Sequence, residues 1–169
     1  MRRPIRITGN EGVWGMDKEK ILSFDLFQGF TLDELGEILT IGRELEIEIG
    51  ERIIEDSSPT SDLFVLLEGK VVVEFEVTDF ETDRTEMLQL VSLNAGEVIG
   101  EIAFLEKHNR TASVTAIEKT RVIQFDGTRL HEMLGRNNLL GYLLMQNLAL
   151  ILIDRLKRSN LQWLNEKLG

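Results

Sequence analysis

Short segments of alternating apolar and polar residues occupy the stretch from Glu44 to Phe125. Near its start, Leu45, Ile47 and Ile49 alternate with glutamates. Turn residues separate such segments every eight to twelve residues or so, a spacing typical of all-β sandwiches and barrels. A jelly roll is one form that such strands can take. The predicted strands cover residues 44–49, 52–55, 63–67, 71–77, 87–92, 112–117 and 120–125.

Helical periodicity replaces the strand pattern on both sides of this stretch. Thr31 and Glu34 have the spacing of a capping box, and the apolar residues after them predict a short helix over about 31–41. A helical pattern returns from Asp126 to Leu168, with one break between Gly135 and Asn138. Residues 139–158 are apolar around much of the helix and need burial on more than one side. The domain could cover one side and a second copy of the chain the other.

A length of 169 residues suits one domain with an appendage. We predict an N-terminal arm over 1–20, a β-rich domain over 21–127 and a C-terminal helical segment over 128–169. The arm contains Gly9, Gly12 and Gly15, but lacks the strand and helix that a dinucleotide-binding glycine motif requires. We interpret it as a mobile arm that Trp14 could pin to the domain.

The net charge of −10 argues against two classes of partner. Nucleic acids and anionic membrane surfaces both require a basic face. The chain has no cysteine and no N-terminal signal pattern, so we expect a cytoplasmic protein without disulfides. The apolar run from Leu139 to Ile153 is interrupted by Gln146 and Asn147, and a membrane-spanning helix needs about 20 apolar residues. We therefore interpret this run as a buried helix.

The segment Glu97–Val114, E-V-I-G-E-I-A-F-L-E-K-H-N-R-T-A-S-V, has the chemistry of a small phosphodiester site. Gly100 lets a ligand approach the backbone, and Glu101 can accept hydrogen bonds from a sugar hydroxyl. One helical turn over 102–105 would offer free N–H groups to an anion. Arg110 carries a permanent charge and a donor fork that matches a phosphate. The residues that follow it, Thr111, Ala112 and Ser113, are small.

This segment resembles the phosphate-binding cassette of the cyclic-nucleotide-binding domain family. The matching residues are Gly100-Glu101-Ile102-Ala103-Phe104-Leu105 and Arg110-Thr111-Ala112-Ser113-Val114. Many members have proline before the arginine, where this chain has Asn109, and this departure concerns the rigidity of the loop more than its chemistry. Residues 24–27, 48–54 and 62–71 also resemble family segments, so the likeness extends across the fold.

The resemblance implies a mainly-β fold: an eight-stranded antiparallel jelly-roll β-barrel with short N-terminal helices and a long C-terminal helix. It also implies that Glu101 binds a ribose 2′-hydroxyl and that Arg110 pairs with the cyclic phosphate. Backbone N–H groups near Ile102 and Ala103 would complete the cradle, which begins at Gly100 and ends at Thr111 and Ala112.

The resemblance also bears on the ligand and on assembly. A hydroxyl residue in the position of Thr111 can contact the phosphate or a guanine amino group, and we favour cyclic AMP over cyclic GMP. The C-terminal helix should cap the base, and Arg155 lies near the base-facing position, although a solvated helix face would explain it equally well. The long helix resembles the dimerising helix of the catabolite-activator branch, so we expect a homodimer. The chain stops at Gly169, before any DNA-binding domain.

Other classes of function have weaker support. A zinc site would need carboxylates to join His108 and His131, and no such ligand spacing is present, so we predict no metal. An enzyme would need a nucleophile or a second positioned carboxylate near Glu101, and we predict no catalytic residue. The main alternative is a ligand-free interaction module that kept the fold and lost nucleotide binding.

Overall fold

Two antiparallel sheets form the β-rich part of the protein. The computed structural model describes residues 6–7, 17–79 and 84–168. Its strands are β1 (Arg6–Ile7), β2 (Gly42–Ile47), β3 (Arg52–Ile54), β4 (Leu63–Glu68), β5 (Lys70–Asp79), β6 (Arg84–Asn94), β7 (Val98–Ile99), β8 (Ser113–Ala116) and β9 (Thr120–Phe125). One sheet has the order β1-β2-β9-β4-β7 and the other the order β3-β8-β5-β6. The eight strands β2–β9 confirm the jelly roll, in which the two sheets stay open instead of closing into one barrel.

Helices flank the sheets, and those over 32–39, 127–136 and 138–168 lie where helical periodicity predicted them, whereas the first helix begins inside the stretch interpreted as an arm. They are α1 (Lys18–Leu22), α2 (Leu32–Leu39), α3 (Glu101–Glu106), α4 (Gly127–Arg136) and α5 (Asn138–Leu168), with a 3-10 turn at Asp25–Phe27. The capping box of α2 is formed, because Thr31 and Glu34 each accept a hydrogen bond from the backbone N–H of the other. The break between α4 and α5 lies at Asn137, within the predicted range.

Two elements differ from the sequence-based expectation. The short strand β1 pairs with β2 through Arg6–Glu46 and Ile7–Leu45, although the arm has no strand periodicity. The hairpin strands β5 and β6 also run further than predicted and extend into residues 78–86, which separate the predicted strands 71–77 and 87–92. Residues 80–83 of this stretch lie outside the described residues, as do Trp14 and the three glycines of the arm.

The core has two layers because β4 and β9 are buried on both faces. Between the sheets pack residues such as Leu66, Val71 and Val122. On the opposite face, Val65 and Ile123 contact the helices. A strand covered on both sides loses its alternation, which explains the continuous apolar run of β4.

Helix α5 packs on the domain along one face only, so the expectation of a buried helix holds for part of its surface. Leu140, Leu144 and Leu148 are buried, and the Nδ2 atom of the buried Asn147 donates to the carbonyl oxygens of Leu26 and Gln28, each at 2.9 Å. The rest of the helix is largely exposed. By length and composition alone, α5 could cross a membrane.

We expect Asn147→Ala to lower the free energy of unfolding by about 1–3 kcal/mol, because it leaves two carbonyl groups without their donor. Urea denaturation followed by circular dichroism measures the change. Gln162→Ala is the matched control, since Gln162 is an exposed amide on the same helix that donates to the exposed Glu166, and we expect it to change stability by less than about 0.5 kcal/mol. Equal losses in the two variants would contradict the anchoring role of Asn147.

A candidate phosphate-binding site

The site is built where β7 turns into α3. Gly100 adopts a left-handed conformation with φ of 84° and ends the strand, and α3 starts at the next residue. Lys107, with φ of 56°, ends the helix. This short helix confirms the turn predicted over 102–105. Its geometry leaves the first N–H groups, including those of Ile102 and Ala103, without an intrahelical acceptor.

Arg110 points inward, and only 4% of its surface is exposed. Its Nε donates to Thr60 Oγ1 at 3.1 Å, Nη1 to the Gly100 carbonyl oxygen at 3.1 Å and Nη2 to the Asp62 carbonyl oxygen at 2.7 Å. Its Cζ atom also lies 5.8 Å from the centroid of the Phe64 ring. A guanidinium has five N–H donors, so these three bonds leave two for a ligand.

Burial lowers the pKa of Arg110, because desolvation disfavours the charged form, and the nearby carboxylates of Asp62 and Glu101 oppose this shift. The guanidinium of an arginine stays protonated far above neutral pH, so Arg110 remains charged despite this shift. The site holds a buried positive charge within a strongly acidic protein.

Gly100 is required here by its neighbours as well as by its backbone conformation. A Cβ atom at this position would lie 2.5 Å from Arg110 Nη1 and 2.8 Å from the Asp62 carbonyl oxygen. The missing side chain thus lets the guanidinium approach the start of α3, an interaction that the sequence did not indicate.

Glu101 and Arg155 connect the site to α5. Glu101 is 8% exposed, and its Oε1 accepts a hydrogen bond from Arg155 Nη1 at 2.8 Å. Nη2 of Arg155 donates to the Val98 carbonyl oxygen at 2.6 Å. The sequence placed Arg155 near a base-facing position, and in the structure its guanidinium contacts the carboxylate that was assigned to a ribose.

The other predicted site residues differ in exposure. Ala103 is buried and Ile102 is exposed on α3. Just before β8, Thr111 is exposed and Ala112 is half-buried. Hydrogen bonds thus join Arg110 to Gly100 and Arg155 to Glu101, whereas Ile102 and Thr111 lie at the surface.

Sequence analysis missed Thr60 and His131. Thr60 lies between the predicted strands 52–55 and 63–67, and nothing in its local sequence marks it. The ring of His131 stacks on Phe104 with centroids 4.2 Å apart, and its Nε2 lies 2.9 Å from the Phe104 carbonyl oxygen. This contact joins α4 to α3. In the part of the chain that the structure describes, no group of three or more histidines, aspartates or glutamates is arranged to hold a metal ion.

A cavity of about 210 Å³ lies beside the site. Its lining combines α5, the 3-10 turn and the turn before β7, and includes Gly96, Val98, Asn147 and Arg155. Arg155 therefore lines this cavity and also contacts Glu101.

Comparison with known proteins agrees with this geometry. The family model described as "Cyclic nucleotide-binding domain" matches residues 44–137, more than half of the chain. The chain therefore belongs to the cyclic nucleotide-binding domain family, whose members act as sensor or regulatory domains.

The individual relatives are similar to this chain at low identity. A Rhodopseudomonas palustris protein, named as a potassium channel protein, is 28% identical over 66% of this chain and 25% of its own. The cAMP-dependent protein kinase regulatory subunit of Dictyostelium discoideum is 27% identical over 71% of this chain and 31% of its own. A cyclic nucleotide-binding domain structure from Methylobacillus flagellatus has a TM-score of 0.76 and 21% identity, covering 89% of this chain and 82% of its own, which shows a shared fold. The chain thus spans about a quarter to a third of the length of these two curated relatives.

We expect Gly100→Ala to destabilise the protein more than Gly50→Ala. Both glycines have a positive φ, which costs alanine about 1 kcal/mol, but a Cβ at Gly50 meets nothing within 4 Å. The overlap with Arg110 should add about 2 kcal/mol to the loss at Gly100. Urea denaturation measures both variants, and equal losses would show that the glycine is needed for its backbone conformation alone.

Proposed function

We propose that this chain is a cyclic-nucleotide sensor that prefers cyclic AMP and signals by moving α5. The observation that carries the proposal is the buried guanidinium of Arg110 beside the first turn of α3. A buried charge with two unused donors suits a phosphate, since planar N–H pairs match phosphate oxygens.

Each contact of the site has a role in this mechanism. Arg110 and the N–H groups of Ile102 and Ala103 hold the cyclic phosphate, and the small residues Thr111 and Ala112 border it. Gly100 keeps the backbone open to Arg110. Glu101 accepts the ribose 2′-hydroxyl, and one of its oxygens is already bonded to Arg155.

The link between Glu101 and Arg155 explains how binding reaches α5. A ribose hydroxyl that bonds to Glu101 changes the partners of the carboxylate, and Arg155 on α5 responds. The ligand shifts the helix position only as far as it binds one arrangement better than the other. Arg155 then faces the base or moves away from the site with its helix.

The preference for cyclic AMP rests on one observation, because the hydroxyl that Thr111 supplies next to Arg110 suits either nucleotide. The cAMP-dependent kinase regulatory subunit of Dictyostelium is among the relatives, which favours adenine. Cyclic GMP is the second candidate ligand.

We expect Arg110→Ala to weaken cyclic AMP binding by about 3 kcal/mol, because the phosphate loses its desolvated partner. Isothermal titration calorimetry with cyclic AMP and cyclic GMP measures the loss for each ligand. Arg43→Ala, which removes an exposed arginine from β2, is the control of equal charge and should bind like the wild type. Unchanged affinity in Arg110→Ala would contradict the assigned role.

A ligand-free interaction module is the alternative, and one observation favours it: three donors of Arg110 are already satisfied by protein atoms. Thermal unfolding with and without millimolar cyclic AMP distinguishes the two functions, because a ligand of the folded state raises the midpoint. An unchanged midpoint with both nucleotides would favour the interaction module. Neither function requires turnover, so we propose no enzymatic activity.

The exposed side of α5 has the spacing of a two-stranded coiled coil. Positions separated alternately by three and four residues are exposed along the helix: Leu139, Tyr142, Gln146, Ala149, Ile153, Leu156, Asn160 and Trp163. Apolar residues at such positions pair helices, and a single asparagine among them can set the register. A cytoplasmic homodimer through this stripe accounts for the surface, and a downstream protein would read its rearrangement.

Pairing of helices explains this surface better than a bilayer does. The uncharged part of α5 ends before Asp154, and charged residues follow at Arg155, Lys157 and Arg158. A spanning helix of about 20 residues would carry several of these charges into the hydrocarbon region.

We expect Leu156→Glu to shift the protein from dimer to monomer, because it places a charge in the apolar stripe where the two helices pack. Size-exclusion chromatography with light scattering measures the mass. Leu32→Glu is the control, since Leu32 is an exposed leucine on α2, outside the stripe. A wild-type monomer, or a dimer that survives Leu156→Glu, would contradict the proposed interface.

A further inference from the structure

The loop between β3 and β4 holds Arg110 through its main chain and its side chain. Ser57 N donates to the Arg110 carbonyl oxygen, and Arg110 N donates to the Ser58 carbonyl oxygen, both at 3.0 Å. The same loop supplies Thr60 Oγ1 to Nε and the Asp62 carbonyl oxygen to Nη2. Four of the hydrogen bonds of Arg110 therefore go to a segment about 50 residues earlier in the chain.

Thr60 accepts from Arg110 through its side chain, whereas the other acceptors in this loop are backbone carbonyl oxygens. An arginine has donors and no acceptor, so Thr60 Oγ1 must accept from Nε and keep its own proton for another partner. That partner is Ser58 Oγ, 3.4 Å away. Ser58 Oγ in turn donates to the Glu55 carbonyl oxygen at 2.7 Å. The directions are thus consistent along the whole chain, from Arg110 through Thr60 and Ser58 to the backbone of Glu55.

The three hydrogen bonds of the guanidinium lie in its plane and together fix its rotation about the side chain. The bond from Nε is the one accepted by a side chain, so it can be removed without changing the backbone. A phosphate that takes two parallel N–H bonds requires that plane to be correct. The oxygen atoms of a cyclic phosphate are not equivalent in such a site, because each faces a different donor.

We propose that Thr60 is a positioning residue that orients the Arg110 fork toward the two non-bridging oxygens of the cyclic phosphate. The proposal rests on the cyclic-nucleotide-binding function above. It assigns part of the selectivity between the two phosphate oxygens to the β3–β4 loop, which lies outside the segment Glu97–Val114, because Thr60 contacts Arg110.

The test compares Thr60→Val, which keeps the shape and removes the hydroxyl, with Thr60→Ser, which keeps the hydroxyl. We expect Thr60→Val to weaken cyclic AMP binding about tenfold, the loss of one hydrogen bond to a charged group, and Thr60→Ser to bind within about twofold of the wild type. Ser61→Ala, at a half-buried hydroxyl of the same loop, is the matched control and should bind like the wild type. Calorimetry of the full chain measures each affinity.

A second measurement separates orientation from general loosening of the loop. The two phosphorothioate diastereomers of cyclic AMP place sulfur on one or the other non-bridging oxygen, and an oriented fork distinguishes them. We expect the ratio of their affinities to fall at least threefold in Thr60→Val and to be restored in Thr60→Ser. A merely structural residue would weaken both diastereomers equally and leave the ratio unchanged.

The outcomes are distinguishable. Wild-type protein that binds neither cyclic nucleotide would overturn the proposed function and, with it, the role of Thr60. Wild-type binding with an unchanged affinity and diastereomer ratio in Thr60→Val would overturn the role of Thr60 alone. Equal losses in Thr60→Val and Thr60→Ser would also overturn it. If Thr60→Val does not fold, as judged by circular dichroism, Thr60→Ala is measured in its place and judged by the same outcomes.

Discussion

Burial of the Arg110 guanidinium organises the centre of this protein. A charge removed from water is costly unless its donors are satisfied, and here Thr60, Asp62 and Gly100 satisfy three of the five. These partners come from the β3–β4 loop and from the junction of β7 with α3. One side chain thus holds together segments that are distant in sequence, and the absence of a Cβ at Gly100 makes the approach possible.

Helix α5 is tied to this centre at two points. Asn147 anchors it to the 3-10 turn, and Arg155 binds Glu101 and the backbone of Val98. Both anchors line the cavity beside α5. The exposed side of the helix carries the apolar stripe from Leu139 to Trp163, and beyond Arg155 the helix is exposed all around. The same helix therefore touches the proposed ligand site and carries the surface by which the signal would leave the domain.

Elements with strong local signals were predicted from sequence and confirmed. The capping box at Thr31 located α2, and strand alternation located most of the jelly roll. The strand β1 was not predicted, because two residues are too few to show a period and their pairing depends on β2. The hairpin of β5 and β6 was predicted too short, because its outer part is solvated on both faces and lacks the apolar alternation that marks a half-buried strand.

The sequence by itself determined the class of fold and the chemistry of the cassette: a glycine, a carboxylate and an arginine at a spacing that places them around one helical turn. Only the tertiary structure decided how these groups are paired. Arg155 lies 54 residues from Glu101, and Thr60 lies 50 residues before Arg110. Contacts over such separations leave no periodicity or local motif, because they depend on how the sheets and α5 pack. The partners of the two charged groups are therefore a property of the folded chain.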